Sequence, residues 1–381
     1  MFGRAMEPCI DTRLTQGETG NEGEHVNTRE ARQSVAPSVV VSLVALTVVL
    51  AVGLSFASVE LPRLISGWLM RIFEFPGFDS GRNVEQTEAF VSCNGLRVVG
   101  YLGLSAVAVM IVAGLALERR RVAAAGAVAL FLPVFGHFAA SMFFLAGLGM
   151  LRVLFLPVMD RSYDLMALGE VAFVPYMAVV YPFAWAGVDI REAVIWAAMA
   201  GGMLLFIAGV LAWCLTKLRG VSMAEGWVYR ISRHPQYLGW IIWSWGLLLY
   251  VSRHSELYQF KISYGVPSSL PWLLSAMAII GVALCEEIAM ERRLGDDYRR
   301  YTDRTPFLLP LPRWLRTIVA APMIWVLGSP SPESGRDVIR VVGLYTVILI
   351  LLSVPFVIFG WPAATGWYAF PYNVAPFASA G

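Results

Sequence analysis

The polar positions of this chain are bunched, and between the bunches lie long uncharged stretches: 33–59, 98–117, 122–151, 171–188, 193–216, 235–252, 262–285 and 341–381. Each reaches the roughly 18 residues that mark a candidate membrane-crossing helix. Inside lipid every backbone group must be paired within its own segment, which favours helices over any open sheet. The pattern predicts an all-α fold, a polytopic transmembrane helical bundle of about 8 to 10 spans.

Composition agrees, with 57% hydrophobic and 15% charged residues, against about 25% charged in an ordinary soluble domain. A net charge of +2 gives nucleic acid no support as a partner, whereas membrane lipids follow from the apolar blocks. Cys9, Cys93, Cys214 and Cys285 are far apart, without a CxxC pair or a nearby histidine, so neither a zinc site nor a disulfide framework is expected. Lys217 and Lys261 are the only lysines among many arginines, a bias of GC-rich genomes that points to a bacterial inner membrane.

Residues 1–34 read as a polar flexible tail, 35–192 as an N-terminal transmembrane region of unknown role, 193–316 as the core carrying the chemistry, and 317–381 as an interfacial segment, a last helix and an aromatic tail. Basic clusters mark cytoplasmic ends. Three qualify: Arg119 to Arg121, Lys217 to Arg233, and Arg292 to Arg316. An even number of crossings must separate any two. Reading 122–159 as a tight hairpin bending near Gly136 to Ser141 satisfies this, although it leaves Arg152 inside an apolar segment. From Pro235 the chain is expected to cross to about Val251, turn through 252–267, and return over about Ser268 to Met290. The "RHP" segment and Glu286–Glu287 then share one membrane face. "TIVAAPMIWVLGSP", short and interrupted by Pro322, reads as interfacial or re-entrant.

Two stretches carry chemistry. In "YRISRHPQYLGW" Pro235 suits a first helical position, where its missing N–H is no loss. The helix start, with Arg233 and His234 beside it, attracts an anion. Tyr229 and Tyr237 flank the spot, and Gly239 leaves room for a helix or a ligand. Basic residues at a helix end are also ordinary positive-inside anchors. In "EEIAMERRLGDDYRRY" Glu286 and Glu287 end an apolar helix, where carboxylates call for a partner or a wet cavity. Glu287 and Glu291, four apart, share a helix face. A zwitterion would satisfy both stretches, its carboxylate toward Arg233 and its ammonium toward the glutamates. Elsewhere, Glu170 and His137 read as interfacial and structural, and Gly201–Gly202 as a helix-packing pair.

Together these segments resemble the isoprenylcysteine carboxyl methyltransferase and phospholipid methyltransferase superfamily of integral membrane enzymes, over roughly residues 195–312. The motif Arg-His-Pro-x-Tyr-x-Gly is matched by Arg233, His234, Pro235, Tyr237 and Gly239, preceded by Tyr229. The glutamate pair is matched by Glu286 and Glu287, and the tail by Gly295, Asp296, Tyr298, Tyr301 and Pro306. Gly226 stands one residue farther from Tyr229 than the family's glycine does, and the region before residue 195 has no counterpart. The resemblance implies S-adenosyl-L-methionine as cofactor, bound from the cytoplasmic side, and a lipophilic small molecule or lipid as acceptor. It implies cofactor contacts from Tyr229, Arg233, His234, Pro235, Tyr237, Gly239, Glu286 and Glu287. For an amine or thiol acceptor the candidate bases near the site are Glu287, Glu291 and His234, whereas a carboxylate acceptor needs none. Membrane reductases of the sterol type that use NADPH also carry an Arg-His-Pro-x-Tyr-x-Gly element and are the alternative; adjacent carboxylates suit a cationic cofactor better than a 2′-phosphate.

Overall fold

The computed structural model of the protein describes residues 37–73, 84–135, 147–221, 223–254 and 269–358. Residues 1–43 and 44–381 form two units, the first contributing only the opening turns of a helix to the described residues. The helices are α1 (Pro37–Ile72), α2 (Val84–Cys93), α3 (Leu96–Ala116) and α4 (Arg120–Phe135), then a 3-10 segment (Gly147–Phe155) running into α5 (Leu156–Met159). Two 3-10 turns, Tyr163–Ala167 and Glu170–Phe173, lead to α6 (Val174–Trp185) and α7 (Arg191–Leu218). After a 3-10 turn at Trp227–Arg230 come α8 (Pro235–His254), α9 (Ser269–Leu294), α10 (Asp296–Arg304), α11 (Arg313–Leu327) and α12 (Gly335–Ile358).

Among the described residues there is no strand, and six stretches are long and apolar enough to cross a membrane, against an expectation of eight to ten. They are Ser38–Ile72, Leu96–Ala116, Asp164–Trp185, Arg191–Leu218, Ser269–Leu294 and Gly335–Ile358. Helix α8 has 20 residues, but its three tryptophans and two tyrosines make it less apolar. Helix α1 does not stop at Glu60; it continues through Pro62 and pairs Glu60 with Arg63 at 3.0 Å. The 15 residues of α11 fall short of a span of about 17 to 25, and its exposed Trp314, Ile318 and Trp325 suit the interfacial reading.

Helices α7 and α8 are packed backbone to backbone. A Cβ added at Gly202 would lie 2.3 Å from the Trp243 amide nitrogen, and one at Gly239 would lie 2.4 Å from the Phe206 amide nitrogen. Without a hydrophobic drive between helices in lipid, such close approach of small residues supplies the association. Gly202 therefore packs as expected, while a Cβ on Gly201 would meet nothing. The N-terminal helices are not set apart from this pair: Phe131 of α4 shares one core cluster with Met199, Trp243, Leu247, Trp272 and Met277.

The hairpin expected over 122–159 is corrected. Its bend at 136–141 lies outside the described residues, but Asp160 pairs with Arg97 at 3.2 Å, and Arg97 opens α3 at the end opposite Arg120. Residue 160 has therefore not returned to the Arg120 end. The Ser269 hydroxyl, at the start of α9, donates to the Met166 carbonyl at 3.2 Å, and Arg253, at the end of α8, reaches Glu192 at 2.5 Å. These contacts place residues 160, 166 and 192 at the end remote from Arg120, so the chain reaches that end between Arg120 and Asp160 and returns along α7, which satisfies parity. Arg152 is buried in this segment, as expected of a charge that cannot face lipid. Glu170 is also buried and accepts from Ser269 at 3.4 Å, at the same remote end.

Candidate functional site

The entry to α8 is shaped by its own short-range bonds. The Ser232 hydroxyl accepts from the His234 amide at 3.2 Å, and the His234 carbonyl accepts from Leu238 at 3.0 Å, which begins the helix at Pro235. The segment after α10 is tied to this entry. The Arg233 amide donates to the Pro306 carbonyl at 3.0 Å, and the Ser232 hydroxyl lies 3.3 Å from the Phe307 carbonyl. Phe307 then faces both functional side chains, with its ring 5.2 Å from that of His234 and 5.7 Å from the Arg233 guanidinium carbon.

The carboxylates arrive from the end of α9. Gly295 follows at φ +55 and ψ −127, a conformation open to glycine and hardly to any other residue. It folds α10 back so that Tyr298 returns to the site. Glu287 thereby receives three donors: Arg233 on Oε2, and on Oε1 both His234 Nε2 at 2.6 Å and the Tyr298 hydroxyl at 2.5 Å. A carboxylate only accepts, so Nε2 carries the histidine proton in this pair. The cluster is largely dry, with His234 6%, Arg233 14% and Glu287 16% exposed at the side chain. Burial first, then the Glu287 charge, pushes the Tyr298 phenol well above its ordinary range, so it stays a donor.

Glu286 points elsewhere. It is 33% exposed, 3.9 Å from His234 Nδ1 and 3.8 Å from Arg120 Nη1, and Tyr237 interacts with the same carboxylate.

The site residues expected from sequence divide accordingly. Arg233, His234, Tyr237, Glu286 and Glu287 converge. Tyr229 supports them from below: it is buried, and its carbonyl accepts from the Tyr301 hydroxyl at 2.8 Å. Pro235 starts α8 and packs over Gly209. The room left by Gly239 is filled by α7, so its part here is helix packing. Glu291 stands apart, half exposed and paired with Arg299 at 2.9 Å. The expected separation of charge is also revised: Arg233 and Glu287 neutralise each other, which leaves Glu286 as the carboxylate open to a ligand. Tyr298, Phe307 and Arg120 were not among the expected site residues. Tyr298 carried a signal, since it stands in the tail motif; Arg120 carried only that of a basic cluster marking the same membrane face, and Phe307 carried none.

Residues 190–305 match the family described as protein of unknown function DUF1295, a membrane family similar to steroid 5-alpha reductases and isoprenylcysteine methyltransferases. Comparison with curated proteins and with solved structures gives no match.

Proposed function

We propose that this chain is an integral membrane methyltransferase that moves a methyl group from S-adenosylmethionine to a lipophilic or membrane-dissolved acceptor, with its cofactor site on the cytoplasmic side. The observation that carries the reading is Glu286, a partly exposed carboxylate beside His234, next to a neighbour already satisfied by three donors. A carboxylate this exposed, with no charged partner closer than 3.8 Å among the described residues, suits a cation. The Arg233 Nε, buried and without a hydrogen-bond partner among the described residues, suits a carboxylate or hydroxyl of the same ligand. The donor set thus fits a zwitterionic cofactor.

When bound, S-adenosylmethionine supplies a methyl group on a positively charged sulfur. The chain's own part is to hold and orient, which can contribute on the order of 7 to 11 kcal/mol, and to keep water away with Phe307, Tyr237 and the apolar wall around Cys285 and Ile288. Glu287 fixes the His234 ring through Nε2, which leaves Nδ1 as the atom able to take a proton from an amine or thiol acceptor. Glu287 itself is saturated and Glu291 exposed, so neither is the base. A carboxylate acceptor, such as that of a prenylcysteine, needs none. Lipid headgroups, isoprenoids and small thiols remain within the acceptor class.

Incubating membranes that contain the protein with methyl-labelled S-adenosylmethionine tests the reading. Label should enter an organic-soluble product, and Glu286→Gln should cut it at least tenfold. The second reading, a reductase using NADPH, is favoured by the reductase side of the family likeness. Acceptor reduction by NADPH with no methyl transfer would establish it instead.

A further inference from the structure

Among the described residues the N-terminal region comes to the charged part of the site at the turn between α3 and α4, and this turn is held from three sides. Glu118 sits there at φ +54, a left-handed conformation that disfavours a non-glycine residue. Its carboxylate accepts from Arg292 of α9 at 2.6 and 3.1 Å and from the Gly335 amide that opens α12 at 3.3 Å. Gly335 lies so close that a Cβ on it would come 2.3 Å from the Leu115 carbonyl oxygen. Arg292 also donates to the Glu333 carbonyl at 2.9 Å. Arg120 follows this clamp by two residues and faces Glu286 at 3.8 Å, a distance of charge attraction without a hydrogen bond.

From this geometry we infer that Arg120 is a positioning residue for Glu286 and a displaceable placeholder for the cofactor's cation, a role that rests on the methyltransferase reading. A basic residue that served only as a membrane anchor would have no need of a turn locked to α9 and α12. While the site is open, Arg120 balances the Glu286 charge. A ligand cation approaching Glu286 must compete with that guanidinium, which is 43% exposed and free to swing into solvent. The N-terminal region thereby sets how tightly the core holds its cofactor, and it does so with opposite sign for the two cofactor classes: Arg120 opposes a cation and favours a phosphate.

Calorimetry on the full chain in detergent, with S-adenosylhomocysteine and separately with NADPH, tests this on wild type, Arg120→Gln, Arg120→Met and Arg120→Lys. The neutral variants should bind S-adenosylhomocysteine about two- to fivefold tighter, the scale of an exposed ion pair. Lysine should bind like wild type, and the difference should shrink as salt is raised. If wild type binds S-adenosylhomocysteine but the neutral variants bind it equally or more weakly, the role of Arg120 is overturned and the methyltransferase reading stands. If wild type binds NADPH and not S-adenosylhomocysteine, the methyltransferase reading falls and the placeholder role toward a cation falls with it, whichever way the neutral variants move.

Discussion

His234 Nε2 and Glu287 Oε1 are 2.6 Å apart, and the Tyr298 hydroxyl shares that oxygen at 2.5 Å. One carboxylate therefore joins the start of α8, the end of α9 and the returning α10. Glu287→Ala would strand Arg233 and His234 in a largely dry cluster. Breaking such a pair costs on the order of 3 to 5 kcal/mol, so thermal unfolding in detergent should fall sharply, and Glu287→Gln, which keeps the shape and one acceptor, should fall less. Equal stability of Glu287→Ala and wild type would contradict the assigned role.

The α7–α8 contact makes a paired prediction. Gly202→Ala forces a Cβ to 2.3 Å from the Trp243 nitrogen, which is overpacking worth about 1 to 3 kcal/mol. Gly201→Ala meets nothing and should gain about 0.5 to 1 kcal/mol from helix propensity. Unfolding midpoints of the two variants should move in opposite directions; a shared direction would mean that α7 presents a different face to α8.

Glu291, though on the face of Glu287, is half exposed and, among the described residues, paired with the exposed Arg299. Glu291→Gln should leave methyl transfer and stability unchanged, stability to within about 0.5 kcal/mol. A loss of turnover comparable to that of His234→Ala would return Glu291 to the site.

Alkaline pH gives a fourth test. Tyr229, Tyr298 and Tyr301 lie outside the membrane-spanning stretches, and burial is the main cause raising each phenol's pKa. A raised folded value above the unfolded value of about 10 means that their contribution is complete below about pH 10 and is lost as pH rises toward the folded values. The unfolding temperature should therefore decline above about pH 10, with less decline in Tyr298→Phe. Phenolate absorbance from these three residues in the still-folded protein at about pH 10 would overturn the argument.

The parts of the molecule that were legible in advance are those whose signal is local. Uncharged stretches announced most helices, Pro235 announced the start of α8, and the glutamate pair announced its site. What escaped depends on distant packing. The path between Arg121 and Lys217 could not be traced because segment length alone does not tell a crossing helix from apolar sequence lying at one end of the bundle; the Arg97–Asp160 pair decides it. Gly239 suited helix or ligand equally until Phe206 of α7 was seen against it. Arg120 looked like any other anchor, and its approach to Glu286 is a contact across the fold that sequence order does not show.

Glu286 is expected to hold the ammonium of a zwitterionic cofactor. Isothermal titration of purified wild type and Glu286→Gln with S-adenosylhomocysteine, alongside NADPH, tests it most directly. Wild type should bind S-adenosylhomocysteine at micromolar concentration, Glu286→Gln about tenfold or more weakly, as expected when a charged partner is lost, and neither should bind NADPH. Binding of NADPH alone, tightened by the loss of Glu286, would contradict it.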